Sequence, residues 1–370
     1  MTHRQRMIDV LEGRIPDRVP IVCRLEFWHR AHTSAGTLPA EVAGLTVEDT
    51  EHYLGMGRSA RLRGVVKEHR EGVTETIEQD GDREIRTLDC EGRRLIAVEQ
   101  CLASHRASGM RGQTLRHFLN TPDDYRTMIE IWRRTTISID HHACARLERE
   151  VGDDGIGMLM LPPIPAHRIM LLDAGYEQFY FHTADMPDLV DELQQVMEQR
   201  YEAFWADAAR CIAPLVLHGA NWNAQMTPPP VFEQRFLPYL RRFAAAMHDA
   251  GKRCAFHSDG DMSGLLDLAL QSDYDVADCV ACAPLVPLSL EQIRRAWGDR
   301  IVVWGGFPAT VLDDGFSDAE FEQFLDSFAN QISDGHRMIV GVSDAVMPTA
   351  LWPRIKALAH RVNLVRPVTT

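Results

Sequence analysis

One short segment brings together side chains that can move protons or bind a metal. His257 and Asp259 stand two residues apart, directly after the apolar run of residues 253–256 and before Gly260. Side chains two apart on an extended strand point to the same side, so both groups can act on one ligand. Imidazole and carboxylate groups serve as proton-transfer groups and as zinc ligands. The pair predicts a catalytic or metal site, with a hydrogen-bonded pair that fixes a loop as the alternative.

Other reactive or recognition side chains follow other apolar runs. They are Glu26, Trp222, Asn223, Cys279, Cys282, Trp304, Phe307 and Asp344. We expect the amide, the aromatic side chains and Glu26 to form a substrate pocket, because ligand sites combine apolar walls with a few polar groups. The alternatives are core packing for Trp304 and Phe307, burial as small hydrophobic residues for the two cysteines, and helix capping for Asp344.

The elements that must position these side chains alternate between strands and helices. Apolar strands are predicted at residues 156–161, 214–217, 253–256, 275–280, 301–304 and 337–340. Helices are predicted at 121–134, 186–209 and 227–251, the last of them capped by Thr227. Asp261 is expected to cap another helix, and two more begin at the capping boxes of Ser289 and Ser317. Strands that are largely apolar and alternate with helices are typical of a parallel sheet. We therefore predict a (β/α)8 TIM barrel, in which the strand ends meet at one mouth.

The first part of the chain follows a different pattern. Residues 2–12 predict a helix, and residues 19–27 predict a strand with Glu26 near its end. Apolar residues then alternate with charged ones over residues 64–100, with glycine-containing turns between them, which predicts an antiparallel meander inserted into the barrel. We expect residues 1–370 to form a single domain that contains this insertion.

Composition excludes several classes of function. The chain has 370 residues and a formal net charge of −14, which argues against nucleic acid or an anionic membrane as the partner. No apolar run approaches the roughly 18 residues of a transmembrane helix. The N-terminus lacks the apolar stretch of a signal peptide, and the eight cysteines are scattered. We expect a cytoplasmic protein with reduced thiols, and a homodimer remains an open alternative.

Four motifs resemble the uroporphyrinogen decarboxylase superfamily when they are taken together and in order. They are residues 11–20 (LEGRIPDRVP), 256–261 (FHSDGD), 297–306 (WGDRIVVWGG) and 340–344 (VGVSD). The set spans nearly the whole chain, and the combination is specific where each motif alone is not. The resemblance implies the same (β/α)8 barrel that the strand pattern predicts.

The resemblance implies one of two activities. One branch of the superfamily decarboxylates uroporphyrinogen without a cofactor and carries an arginine-rich motif after its first strand. Residues 23–30 (CRLEFWHR) occupy that place here without clustered arginines. The other branch contains methyltransferases that work with a corrinoid protein and hold zinc with a His-x-Cys pair and a later cysteine. Here His257, Asp259 and Asp344 occupy those positions.

The departure from thiol ligands suggests a specific chemistry. Carboxylates leave zinc a stronger Lewis acid than thiolates do, which suits the oxygen of a methoxy group. We expect a methyltransferase that demethylates a small methoxylated or methylated compound and passes the methyl group to the corrinoid (cobalamin) of a partner protein. The zinc would be held by His257, Asp259 and Asp344. Its fourth ligand would be Cys282, Cys279 or Glu26.

Two other functions stay open. One is a metal-free decarboxylase acting on uroporphyrinogen or a smaller carboxylate, in which His257 and Asp259 handle protons. The other is a non-catalytic protein that binds a tetrapyrrole or a corrinoid. The sequence does not identify the methyl donor or the oligomeric state.

Overall fold

A computed structural model describes residues 1–103, 106 and 112–367 of the chain. The strands in chain order are β1 (Arg58–Leu62), β2 (Val66–Arg70), β3 (Val73–Asp80), β4 (Arg83–Cys90), β5 (Arg93–Gln100), β6 (Gln113–Arg116), β7 (Thr135–Ile139), β8 (Gly155–Met160), β9 (Leu215–Leu217), β10 (Arg253–His257), β11 (Val276–Val280), β12 (Val302–Phe307) and β13 (Met338–Val342).

The α-helices lie mainly between these strands. They are α1 (His3–Leu11), α2 (Glu26–Ala35), α3 (Val47–Tyr53), α4 (Pro122–Arg133), α5 (His141–Val151), α6 (Pro165–Arg168), α7 (Tyr176–Asp185), α8 (Pro187–Ala209), α9 (Pro229–Val231), α10 (Leu237–Asp249), α11 (Leu266–Gln271), α12 (Leu290–Trp297), α13 (Asp318–Gln331) and α14 (Trp352–Leu364). Single π-helical turns lie at Ile169–Asp173 and Phe232–Phe236, and 3₁₀ turns at Gly152–Asp154 and Ala309–Leu312. No helix in the described part of the chain is both long and apolar enough to cross a membrane.

The chain forms two compact units. The first, here called the parallel-sheet unit, comprises residues 1–63, 142–160 and those from 212 onward. The second, the antiparallel unit, comprises residues 64–141 and 161–211. Strands β3 to β6 pair in sequence order as an antiparallel sheet in the second unit, as the alternating pattern of residues 64–100 predicts.

Seven parallel strands form a curled sheet in the parallel-sheet unit, in the order β1-β8-β9-β10-β11-β12-β13. Ile21 pairs in parallel with Val340 of β13. Its carbonyl also accepts a bond of 2.8 Å from the N–H of Gly57, directly before β1. Alternate strand residues share one buried cluster with residues of α1; among its members are Met7, Val10, Leu215, Leu217, Ala255, Val276, Val302, Trp304 and Ile339. The α/β class and the parallel sheet are thus confirmed.

Local signals in the sequence place most helix starts correctly. Thr2 caps α1, and capping boxes open α4, α12 and α13 at Thr121, Ser289 and Ser317. Each box satisfies two backbone N–H groups that the first helical turn leaves free. These caps fix where the connecting helices begin.

Three local predictions are wrong. Residues 19–27 are not one strand: only Ile21 pairs, and Glu26 begins α2, which ends at Gly36 in the left-handed conformation. Thr227 is not a helix cap, because the helix begins two residues later and the cap position is Pro228. Asp261 caps a turn instead of a helix, since its Oδ1 accepts the N–H of Ser263 and α11 begins only at Leu266.

A buried charge network ties the antiparallel unit together. Arg168 donates from both Nη atoms to Glu68 and lies 4.7 Å above the ring of Trp132. Arg70 donates to the same glutamate at 2.7 Å. The carboxyl of Asp173 is buried beside this network, and its Oδ2 lies 3.9 Å from Nε of Arg168. Burial raises the pKa of Asp173 from 3.8 to about 6, although Arg168 acts in the opposite direction.

We expect Asp173→Asn to stabilise the protein more at pH 7.5 than at pH 4. The pKa of Asp173 is higher in the folded than in the unfolded chain, so the folded state binds more protons. Its stability therefore falls as the pH rises from about 4 to about 6 and the carboxylate must ionise. Removing the group should gain about 2–3 kcal/mol of unfolding free energy across that range.

Urea unfolding of both proteins at the two pH values measures this difference. Glu78→Gln, which removes an exposed carboxylate from β3 in the same unit, is the matched control and should show no such trend. An Asp173→Asn effect that is equal at both pH values would contradict the assignment.

Candidate metal centre

Three strands of the parallel sheet, β10, β11 and β13, deliver the central side chains of the site. His257 ends β10, Cys279 lies near the end of β11, and Asp344 follows β13 by two residues. One ligand atom from each residue lies within 4.8 Å of the others. Parallel strands end at the same edge of a sheet, so residues far apart in the sequence meet there. Imidazole, thiol and carboxylate together are a donor set that zinc accepts.

Unusual backbone conformations orient two of these side chains toward the site. Cys279 and Asp344 each have a φ of 61°, a left-handed conformation that residues with a Cβ atom seldom adopt. At Cys279 the pairing of β11 with β12 also shifts register between Asp278 and Val280. Strained residues of this kind cost about 1–3 kcal/mol each and cluster at functional sites. The surrounding fold therefore holds both side chains against their local preference.

A buried carboxylate orients the imidazole. Nδ1 of His257 lies 2.9 Å from Oδ2 of Asp278, so it donates to that oxygen. Nε2 consequently faces the other acids, 3.5 Å from Oδ2 of Asp259 and 3.6 Å from Oδ1 of Asp344. A carboxylate behind the outer ring nitrogen is the usual support of a histidine that binds a metal. The arrangement leaves Nε2 available as the ligand atom.

Charge determines the protonation of the imidazole and its partners. Burial disfavours the imidazolium, but Cys279 and the acids Asp259, Asp278 and Asp344 outweigh it and raise the pKa of His257 well above its ordinary value. Burial alone raises the pKa of Asp344, but His257 and Arg24 outweigh it and lower the pKa to about 2. A metal that binds here must therefore displace a proton from the imidazole.

Two buried arginines, Arg24 and Arg61, complete the site. Arg24 donates to Oδ1 of Asp344 at 2.5 Å. Arg61 forms an ion pair with Asp278 and donates to Sγ of Cys279 at 3.2 Å. Burial raises the pKa of Asp278, but Arg61 and His257 outweigh it, so the net shift is downward. Residues 23–30 lack the clustered arginines of the decarboxylase motif, but Arg24 of that stretch and Arg61 of β1 both lie at this site.

The predicted metal ligands are found together except for the predicted cysteine. His257, Asp259 and Asp344 lie together, but the cysteine beside them is Cys279. The predicted ligand Cys282 instead donates its thiol to the carbonyl of Gly306 at 2.8 Å. Burial raises the pKa of this thiol to about 12. The left-handed conformation of Cys279 gives the two thiols different surroundings, and no pattern in the sequence predicts that conformation.

The predicted pocket residues also occupy different environments. Trp304 and Phe307 are buried, the first donating its indole N–H to the carbonyl of Val22 and the second packing on other aromatic rings. Trp222 is buried as well and stacks on Phe256 at 4.0 Å between ring centroids. All three rings are therefore packed in the interior, although Nε1 of Trp222 has no hydrogen-bond partner there, and their role in a substrate pocket stays a prediction.

The two predicted polar pocket residues are less deeply enclosed. Glu26 is half-buried at the start of α2, and its Oε2 is a buried acceptor without a hydrogen-bond partner. Asn223 is partly buried, and its side-chain oxygen accepts the N–H of Gln225. An acceptor such as Oε2 of Glu26 is normally satisfied by water or a ligand.

Sequence reasoning missed Asp278, Arg24 and Arg61. Asp278 has a recognisable signal, since it is an acid within a strand whose five residues are all buried. A buried acid needs a charged or hydrogen-bonding partner, and that partner is Arg61. The partner itself could not be read from the sequence, because the two residues lie 217 positions apart.

Comparison with known proteins shows a similarity of fold. No protein-family model matches the chain. No curated protein matches it significantly. A solved structure described as a methyltransferase from Methanosarcina mazei aligns with a TM-score of 0.58 and 14% identity, covering 98% of both chains. Dispersin B aligns with a TM-score of 0.33 and 10% identity over 61% of this chain and 77% of its own, too low to carry an argument. The chain therefore shares its fold, over almost its whole length, with the Methanosarcina mazei methyltransferase.

Proposed function

We propose that this protein is a methyltransferase that removes a methyl group from a small methoxylated or methylated compound and passes it to a corrinoid protein. The observation that carries the proposal is the convergence of His257, Cys279 and Asp344, with Asp278 behind the imidazole. The full-length similarity of fold to a methyltransferase supports it.

We also infer that the parallel sheet closes as a (β/α)8 barrel. Residue 21 bonds on one side to β13 and on the other to the residue before β1, so the segment around it serves as an eighth strand. The sequence-based resemblance supports the same architecture. In such a barrel the metal cluster lies at the carboxyl end of the strands, where catalytic residues of this fold are found.

The donor set fits zinc. His257, Cys279 and Asp344 would hold the ion. Asp259 lies 3.5 Å from Nε2 of His257 but outside that group of three, so its side chain would have to move to serve as a fourth ligand. When bound, zinc would supply Lewis acidity toward the heteroatom that loses the methyl group. One thiol among carboxylates would leave the ion harder than a thiol-rich site would.

The protein's own residues have definite tasks in this proposal. Asp278 keeps the proton on Nδ1 and so leaves Nε2 free. The buried guanidinium groups of Arg24 and Arg61 offset the charge of the acids. Glu26, with its open acceptor oxygen, would contact the substrate. Overall, the bond between the methyl carbon and the heteroatom breaks. The methyl group goes to the corrinoid as a formal cation, and the heteroatom keeps the electron pair and takes up a proton.

Metal analysis and a methyl-transfer assay test the proposal together. We expect near-stoichiometric zinc in the purified protein and formation of methylcobalamin from free cob(I)alamin with methoxylated aromatic compounds. His257→Ala should lose both. His248→Ala is the matched control, because His248 belongs to a second His/Cys/Asp cluster, with Cys254 and Asp275. Its zinc content and activity should remain. Zinc that follows His248 instead, or protein without metal, would overturn the proposal.

The two buried arginines favour a second candidate, a decarboxylase. Arg24 and Arg61 each keep a buried Nε without a hydrogen-bond partner, and guanidinium groups bind carboxylates well. In that case His257 and Asp259 would handle protons. Release of CO2 from uroporphyrinogen by metal-free protein, unaffected by a chelator, would establish this candidate and exclude the first.

A further inference from the structure

A cavity of about 140 Å³ is lined only by residues of the antiparallel unit, and none of them belongs to the metal cluster. One wall is a face of the antiparallel sheet that includes Arg86, Leu88 and Ala97. Met128 and Trp132 of α4 are among the residues opposite. Since a water takes roughly 30 Å³ in the liquid, the cavity has room for a few waters or for one small organic molecule.

One end of the cavity holds an unsatisfied donor and an unsatisfied acceptor. Oδ2 of Asp173 and Nε of Arg168 are both buried without a hydrogen-bond partner, and both residues line the cavity. The two atoms are 3.9 Å apart, too far to bond to each other. Asp173 is only 4% exposed. Buried polar groups in native proteins nearly always have a partner, so this pair is built to receive one.

Several other charged side chains around the cavity are paired. Arg70 donates to Glu75 at 2.8 Å, and Arg86 donates to Glu84 at 3.3 Å. The Nη atoms of Arg168 are both committed to Glu68, and the guanidinium lies beside Asp173. At the unsatisfied pair an anion would approach the carboxylate of Asp173 and a cation would approach the guanidinium of Arg168, so an ion of either sign would meet a like charge. A neutral ligand would not.

We propose that this cavity binds a small neutral molecule whose primary carboxamide, or a group with a similar donor and acceptor side by side, is attached to a flat apolar body. The carboxamide N–H would donate to Oδ2 of Asp173, and its oxygen would accept from Nε of Arg168. The apolar body would lie between Leu88 and Met128. This proposal does not depend on the proposed function, because none of its residues belongs to the metal cluster.

Three matched probes test it with the full-length protein. Benzamide offers both a donor and an acceptor, benzylammonium offers donors and a positive charge, and benzoate offers acceptors and a negative charge. We expect calorimetry and saturation-transfer NMR to show binding of benzamide at millimolar concentration or below, and binding at least roughly tenfold weaker for the other two.

Two variants locate the site. Ala97→Phe should fill the cavity and weaken benzamide binding at least roughly tenfold, whereas Ile96→Phe places the same ring on the opposite face of β5 and should leave binding unchanged. Asp173→Leu, checked by circular dichroism for folding, should remove binding by deleting the acceptor. Three results would each overturn the proposal: no benzamide binding, which leaves a cavity that holds water only; a preference for either ion; or binding that Ala97→Phe does not weaken.

Discussion

Cys279→Ser is expected to remove the metal from the protein, whereas Cys282→Ser should leave the metal content unchanged. Both thiols donate to a backbone carbonyl, Cys279 to that of Asp344 at 3.2 Å and Cys282 to that of Gly306 at 2.8 Å. Only the thiol of Cys279 lies with the ligand atoms of His257 and Asp344. Serine is nearly the same size as cysteine but is a poor ligand for zinc. Loss of an outer-shell partner alone costs about 10–100-fold in affinity, so loss of a direct ligand should cost more.

Titration of the apoproteins with zinc in the presence of a competing chromophoric chelator measures both affinities. Circular dichroism should show the same folded spectrum for both variants, since each substitution removes only one polarisable atom. If Cys282→Ser loses the metal and Cys279→Ser retains it, the ligand assignment drawn from the geometry is wrong and the sequence-based choice of Cys282 is correct.

Asp278→Asn is expected to weaken both the fold and the metal site. The side chain of Arg61 is 6% exposed and pairs with Asp278, so an amide there leaves a buried guanidinium without its countercharge. Breaking a buried pair from one side costs about 3–5 kcal/mol of unfolding free energy. His257 would also lose its charged acceptor, and zinc affinity should fall by roughly 10–100-fold.

A second variant separates these two effects. In the double variant Arg61→Met with Asp278→Asn no buried charge is left without a partner. Most of the unfolding free energy that the single variant Asp278→Asn loses should therefore be recovered. The zinc affinity should not return, because the imidazole still lacks the carboxylate. Denaturant unfolding and zinc titration of the wild type, both single variants and the double variant complete the cycle. Equal stability of the Asp278→Asn single variant and the double variant would show that the buried pair does not act as argued.

The sequence is sufficient to predict the parallel sheet and much of the chain's organisation. Apolar runs that end in polar residues mark the strands that carry His257 and Asp344, and capping boxes such as that of Ser289 mark the helices between them. These features are local, because an apolar run or a cap depends on only a few neighbouring residues. The exception is the strand predicted at residues 19–27. That prediction was wrong because an apolar run of this length does not distinguish a strand from a buried loop followed by the start of a helix.

The sequence was less able to predict which residues form the site. The choice between Cys279 and Cys282 depends on one left-handed residue and a register shift, neither of which has a composition signal. The contribution of Arg61 depends on its contact with Asp278, which lies 217 positions away in the sequence. Burial of Trp304 and Phe307 depends on the packing of side chains that are themselves distant in sequence. Non-local contacts of this kind are decided only when the whole sheet is assembled.

The left-handed torsions of Cys279 and Asp344 have a consequence for which ions the protein can accept. Side chains that are anchored through strained peptide units cannot swing outward to accommodate a wider coordination sphere. Zinc binds four ligands at about 2.0–2.3 Å, whereas calcium requires six to eight oxygens at about 2.3–2.6 Å. In the proposed zinc site, a rigid main chain at these two residues would disfavour large cations before any difference in the chemistry of the donors comes into play.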